Sequence, residues 1–342
     1  EVSNNNNLKY IIMNYENKSQ AEINLEVEIN NQTDKIARDY DLDFTIAKCQ
    51  TFIEREGLSL GTNGFEKTTE KILTPYYVLL NESTGEALNS VKEGYTITQT
   101  KEVIRLILHG LENIDSNLRK NVKITKGGQI NGGRKIFLQF EIDSNTNIDG
   151  DAITRYITVV DSNDGTTGLS IGIGDETASC TNQFYQFNKN ADFKFKHTKS
   201  IDENLKRVST LIENAFKLSL DTFKLYQEFN KVDVTPKQVQ NMIKFVYGHN
   251  DESIQNSDSD KPQTRIVNNL KNIEAHIQKE MKSKGNTIWG LHSGFTSWTT
   301  NGREDNAPKR DNGHIESLML GANYKYNDNS FKYAKKLLTE TV

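Results

Sequence analysis

Four short runs between Asn121 and Gly174 alternate apolar and polar residues, with only turn residues between them. From Ser200 onward that period gives way to a helical one. The runs "NVKITKG", "RKIFLQFEID" and "AITRYITVVD" have the two-residue period of strands, whose side chains point alternately to opposite faces. "SNDGTTG" then turns into "LSIGIG", and Asp164-Gly165 supplies the backbone freedom of a short hairpin turn. Beyond Ser200, the residues Leu205, Val208, Leu211, Ile212, Ala215 and Phe216 recur every three or four positions, forming one apolar stripe of a helix. Strands joined by tight turns and then helices in series give an α+β chain. The expected layout is a mixed or antiparallel sheet half over about residues 40–200, then a helical half over about 200–342. An Asn-rich arm over 1–34 precedes a β-rich unit over 35–200 that carries one amphipathic helix, and a helical region over 201–342 packs on it.

Before Asn121 the pattern is mixed. "AEINLEVEIN" alternates and is expected as an edge strand. "TDKIARDYDLDFTIAKCQTFIE" reads as a short helix capped by Thr33 or Asp34, then a strand in which Leu42, Phe44 and Ile46 share a face. "GLSLGTNGFEKTTEKIL" reads as a loop. "TPYYVLLNESTGEALNSVKEGYTITQ" is a hairpin with Tyr76, Val78 and Leu80 on one face. "TQTKEVIRLILHGLENI" is a helix capped by Thr98 or Thr100, with Val103, Ile104, Ile107, Leu108 and Leu111 inward.

In the second half, Ser200 and Glu203 form a capping box. Pro236 and Gly248 mark the start and stop of the next helix. "TRIVNNLKNIEAHIQKEMKSKG" is amphipathic, "NTIWGLHSGFTSWTTNG" is a buried aromatic helix, and "NSFKYAKKLLTE" is the last one.

Composition narrows the function classes. The chain of 342 residues carries 42 basic and 46 acidic residues, a formal charge of −4. No long-range field draws it to a phosphate backbone, so nucleic-acid binding would rest on a local patch. No apolar run approaches the roughly 20 residues that span a bilayer, so no membrane is expected. "EVSNNNNLKY" lacks the features of a signal peptide. The two cysteines, Cys49 and Cys180, are read as reduced thiols of a cytoplasmic protein.

Several groups invite a chemical role. Cys180 and His197 are residue types that pair in nucleophilic catalysis, yet no local signature surrounds them and a small core thiol is the simpler reading. No catalytic residue, metal ligand or cofactor is assigned. In "DFKFKHTK" the alternation sends Phe193 and Phe195 one way and Lys194 and Lys196 the other. With His197 and Lys199 these make a short basic row, beside Phe184, Tyr185 and Phe187, which are able to stack on bases. A solvent-facing edge strand explains the same pattern. Lys123, Lys126, Arg134 and Lys135 surround the paired glycines of "KITKGGQINGGRK", a basic hairpin tip that fits neither a dinucleotide loop nor a P-loop. His292, His314, Glu304, Asp305 and Asp311 follow no zinc or calcium spacing. Trp289 and Trp298 read as core.

Three blocks resemble a known family. "CTNQFYQFN…FKFKHTKSIDENLKRV" is similar to its Cys-x-Asn and His-Thr segments. "YYVLLNESTGEALNSVKEGYTITQTKEV" is similar to its hairpin-and-helix block. "TIWGLHSGFTSWTTNGREDNAPKRDNGHIESLMLGANYKYNDNSFKYAKKLL" resembles its C-terminal block, with His314 where an arginine is commoner. The family is the phage- and plasmid-associated domain of unknown function 932, and the resemblance runs from about residue 35 onward. It implies a bacterial cytoplasmic protein of a mobile element and brings no established activity.

Two functions follow as expectations. One is a non-enzymatic single-stranded-DNA-binding or annealing protein, acting as a homo-oligomer through Lys123, Lys126, Arg134, Lys135, Lys194, Lys196, His197 and Lys199. The other is a self-assembling structural or host-interaction protein that binds no nucleic acid.

Overall fold

The computed structural model describes residues 19–61, 64–116, 122–178, 181–187, 194–195, 201–250, 264–302 and 312–341. The architecture is α+β, with two antiparallel sheets in the N-terminal half and helices in the C-terminal half.

The first described element is a helix, α1 (Gln20–Asp39), where the sequence alternation suggested an edge strand. Ser19 caps it in a reciprocal box with Glu22, and the Glu22 carboxylate accepts the Ser19 backbone N–H at 2.7 Å. The helix already includes Thr33 and Asp34, which therefore cap nothing. Ile29, Thr33, Ile36 and Ala37 are its buried positions, at helical spacing. Val27 of the apparent alternation is 48% exposed.

The first sheet runs β1 (Ile46–Gly61), β2 (Gly64–Asn81), β3 (Ala87–Lys92). The stretch read as a loop is thus the far end of a long β1–β2 ribbon, paired from Ile46↔Asn81 out to Gly61↔Gly64. The β2–β3 hairpin is present, but on β2 Leu79 is fully buried while Tyr76 is half exposed. The core face is therefore the one of opposite parity to Tyr76, Val78 and Leu80, because a shift by one residue exchanges the two faces.

Helix α2 (Thr100–Glu112) buries the whole predicted stripe. Gln99 caps it, with Glu102 closing the box; Thr100 is its first helical residue. The Gln99 side chain also accepts the Ile46 N–H at 2.9 Å and donates to the Ile46 carbonyl at 3.0 Å, covering the base of the β1 edge.

The second sheet is β4 (Lys123–Ile130), β5 (Lys135–Ile148), β6 (Asp151–Ser162), β7 (Leu169–Thr177) and β8 (Gln183–Gln186) in that order, with the two-residue β9 (Lys194–Phe195) also on β7. Its inner face, with Leu138, Phe140, Ile157, Val159, Ile171 and Ile173, shares one core with the base of the first sheet, α1, α2 and the first half of α3 (Ile201–Phe229). The helix cap assigned to Ser200 lies outside the described residues.

The second half of α3 enters another core, built by α4 (Pro236–Tyr247), α5 (Thr264–Lys284), α6 (Ile288–Ser297) and α8 (Ala322–Thr341). Pro236 and Gly248 punctuate α4 as expected, Gly248 with φ 92°. Every residue of α6 is buried, and a π-helical turn over Trp298–Gly302 continues it. A short α7 (Gly313–Met319), not visible as a period, lays Leu318 and Met319 over the outer face of the second sheet. Among the described residues no helix is long and apolar enough to cross a membrane.

The α5–α6 crossing depends on one missing methyl group. A Cβ at Gly294 would lie 2.5 Å from the Ile277 Cα, which is backbone and has no way to swing aside. Gly294→Ala is expected to cost about 1–3 kcal/mol in a urea titration, although alanine favours helix by up to about 1 kcal/mol. A stabilised variant would show that the two helices separate freely.

Candidate functional site

The basic residues singled out above fall in separate settings. Lys123 Nζ lies 3.1 Å from Glu141. Lys126 pairs with Glu176 and sits 5.3 Å from the centre of the Tyr156 ring. At the opposite end of the β4–β5 hairpin, Lys135 has a largely buried side chain, 2.9 Å from Glu316 and 3.5 Å from Asp164. Arg134, in the turn, donates to the Ala87 carbonyl at 3.2 Å. Lys194 lies in β9 opposite Ser170. Lys196, His197, Lys199 and Cys180 lie outside the described residues, as do Glu304, Asp305 and Asp311. Lys123, Lys126 and Lys135 thus each face a carboxylate. Phe184, Tyr185 and Phe187 are buried, so their rings belong to the packing and not to an open stacking platform.

The Glu316 carboxylate explains part of this arrangement. It accepts from Lys135 and from the Asn131 amide, pinning α7 onto the β4–β5 turn. The turn itself takes Asn131, Gly132 and Gly133 through positive φ (53°, 67° and 91°), a path that suits glycine.

A polar pocket lies deep in the second core. Asp175, Thr177, Asn182, Tyr226, Trp289 and His292 are among its lining, and it encloses about 10 Å³ open to the centre of a water molecule, room for about one water. The Tyr226 hydroxyl donates to Asp175 Oδ2 at 2.9 Å. Burial raises the Asp175 carboxyl to about 6, against the opposing pull of the Tyr226 hydrogen bond and of Arg155. Burial, helped by Lys284, lowers His292 to about 3. His292 is therefore neutral at pH 7, with Nδ1 2.8 Å from the Ser330 hydroxyl. Among the described residues, Asp175 Oδ1 and the Trp289 indole N–H have no hydrogen-bond partner.

This pocket was legible in one respect. Asp175 falls in phase with Leu169, Ile171 and Ile173, so its parity aims an acid at the core. Tyr226 and His292 carry no comparable signal. The pocket has perturbed acid–base groups, as active sites do, in a space of about one water molecule. Among the described residues no group of three or more His, Cys, Asp or Glu side chains is placed to hold a metal ion.

The third feature is the β1–β2 ribbon. Pairing is irregular between Gln50 and Phe52, where Thr51 stands against Thr74, Pro75 and Tyr76. Among the described residues the ribbon has no third strand beyond that bulge, and β3 pairs with Tyr76–Leu80. Both faces of this outer part carry apolar side chains in register, Phe52 opposite Leu73 and Ile53 opposite Ile72. Ile53 is 61% exposed, Leu58 69% and Leu73 70%. Arg55 lies 2.6 Å from Glu70, and Lys71 3.8 Å from Glu54. Among the described residues no strand pairs with the outer edge of β1, or with β2 past Tyr76.

Residues 87–324, more than half the chain, match the family described as "Domain of unknown function (DUF932)". The chain belongs to the domain of unknown function 932 family. The DUF932 region begins at β3 and ends early in α8, later than the resemblance from about residue 35 suggested. It contains the second sheet, the polar pocket and the Glu316 anchor, whereas α1 and the ribbon precede it. No curated protein and no solved structure matches the chain.

Proposed function

We propose that this chain is a non-enzymatic, self-assembling protein that uses the β1–β2 ribbon to bind further copies of itself. The ribbon carries the reading. It projects large apolar side chains on both faces and leaves backbone donors and acceptors along its edges, where solvated proteins usually place short, covered or heavily charged strands. An isolated two-stranded ribbon is marginal in water, and added strands stabilise it. The near-neutral net charge suits assembly. Lys123, Lys126 and Lys135 already face carboxylates and lie at opposite ends of the β4–β5 hairpin, which makes that hairpin a poor phosphate track. For a family resembling phage and plasmid proteins, this role is that of an assembling component.

Light scattering on a sizing column tests the reading. The full chain is expected to elute as an oligomer of the same mass with and without single-stranded DNA. The variant Ile53→Lys/Leu73→Lys, altered only at exposed positions, is expected to run as a monomer. A monomeric wild-type chain would overturn the proposal. Single-stranded DNA retained on a filter at low salt, and lost as salt is added, would favour the nucleic-acid reading instead.

A further inference from the structure

Resting on that self-assembly reading, we infer that copies join head to tail: the outer edge of β1 in one copy adds to the outer edge of β2 in the next, continuing one sheet through successive ribbons. Among the described residues both edges are unpaired over the same stretch, from Phe52 outward on β1 and from Leu73 outward on β2. They belong to strands already complementary to each other. Within one ribbon, Arg55 faces Glu70, Glu54 faces Lys71, Phe52 faces Leu73 and Ile53 faces Ile72. An antiparallel addition in the same register repeats each of these pairs between copies, and such opposite-charge and apolar pairs are what stabilise a sheet. Extended-edge addition of this kind is a general mode of chain recognition.

Charge disfavours the symmetric alternatives. When two identical antiparallel strands pair about a two-fold axis, opposite residues share a face, so their numbers have the same parity. For β1, a centre at Glu54 or Glu56 opposes that residue to itself, and a centre at Arg55 opposes Glu54 to the second copy's Glu56. Centres nearer the base, at Phe52 or Ile53, carry the pairing through the bulge between Gln50 and Phe52. A centre nearer the tip, at Gly57, sets Glu56 against Leu58. For β2, a centre at Thr69 opposes Lys67 to Lys71, and one at Glu70 or Lys71 opposes that residue to itself. Like charges directly opposite are destabilising. The head-to-tail contact avoids all of these, and because it is heterologous it closes into a ring or extends as a filament.

The test uses two full-length single variants, Arg55→Glu and Glu70→Arg, at low salt where exposed charges are least screened. Both side chains are more than half exposed, so the chain folds with either change. Each variant alone opposes like charges between copies, and its self-association is expected to weaken by about tenfold. Mixed in equal amounts they are expected to recover wild-type assembly in sedimentation velocity. The glutamate introduced into β1 of one variant then meets the arginine introduced into β2 of the other, and the unaltered Arg55 meets the unaltered Glu70. If Ile53→Lys/Leu73→Lys dissociates the oligomer while the mixture stays dissociated, or while either single variant assembles like wild type, head-to-tail addition is wrong and ribbon-mediated assembly stands. A wild-type chain that is monomeric removes both.

Discussion

Lys284→Met is expected to destabilise the fold by about 3–5 kcal/mol, the usual consequence of removing one member of a buried ion cluster. Lys284 ends α5 with its side chain almost wholly buried. Its ammonium lies 2.7 Å from Asp151 Oδ2 and 3.0 Å from Glu280 Oε2, and 5.6 Å from the centre of the Trp289 ring. Methionine keeps the aliphatic stem but leaves two buried carboxylates near each other without their cation. The cluster ties the end of α5 to the first residue of β6, so the helical half loosens from the sheet. Urea unfolding monitored by tryptophan fluorescence measures the loss. Lys231→Met is the control: it breaks the exposed pair with Glu228 at 2.6 Å and should cost no more than about 1 kcal/mol. Equal losses in the two variants would mean that burial adds nothing to the Lys284 cluster.

The second large effect is on acid stability. An unfolded histidine takes a proton near 6.5, but folded His292 takes one only near 3. Below pH 6.5 the unfolded chain binds the extra proton, so stability falls with pH. The loss from this residue is about 2 kcal/mol by pH 5 and about 4 kcal/mol by pH 3. Asp175 acts in the opposite sense. Its folded value is raised from 3.8 to about 6, so ionisation penalises the fold as pH rises through that window, and acidification from pH 7 to 4 returns about 2 kcal/mol. The two slopes partly cancel near pH 5 and separate in variants. Relative to wild type, His292→Gln should gain stability steadily below pH 6.5. Asp175→Asn, which still accepts from Tyr226, should hold its largest relative advantage near pH 7 and lose it toward pH 4. Parallel pH profiles for all three proteins would refute the assignment of these groups.

What the sequence revealed depended on whether a residue's environment is set locally. Helix α2 was legible because Val103, Ile104, Ile107, Leu108 and Leu111 face one continuous core. Strands β4 to β7 were legible because their apolar positions alternate and turn residues separate them. Helix α1 was misread because Ile23, Leu25, Val27 and Ile29 happen to alternate; the Ser19–Glu22 capping box was the better signal. The hairpin face was misread because Tyr76, Val78 and Leu80 look as apolar as the residues between them, and only the packing around Leu79 decides between the faces. The ribbon was missed for a related reason. Exposed on both sides, it has no burial to impose a two-residue period. The basic residues cluster along the chain, but the carboxylates that face them in space, such as Glu316 opposite Lys135, are distant in sequence.

Helix α3 bears on how the molecule comes apart. Its 29 residues extend about 43 Å at 1.5 Å each. Val208, Leu211 and Ile212 are embedded at one end, and Tyr226 and Phe229 at the other. A single rod anchored in two hydrophobic interiors leaves little room for a hinge between them. Amide hydrogens of β6 and of α6 should therefore exchange with solvent through one shared opening, at matching rates.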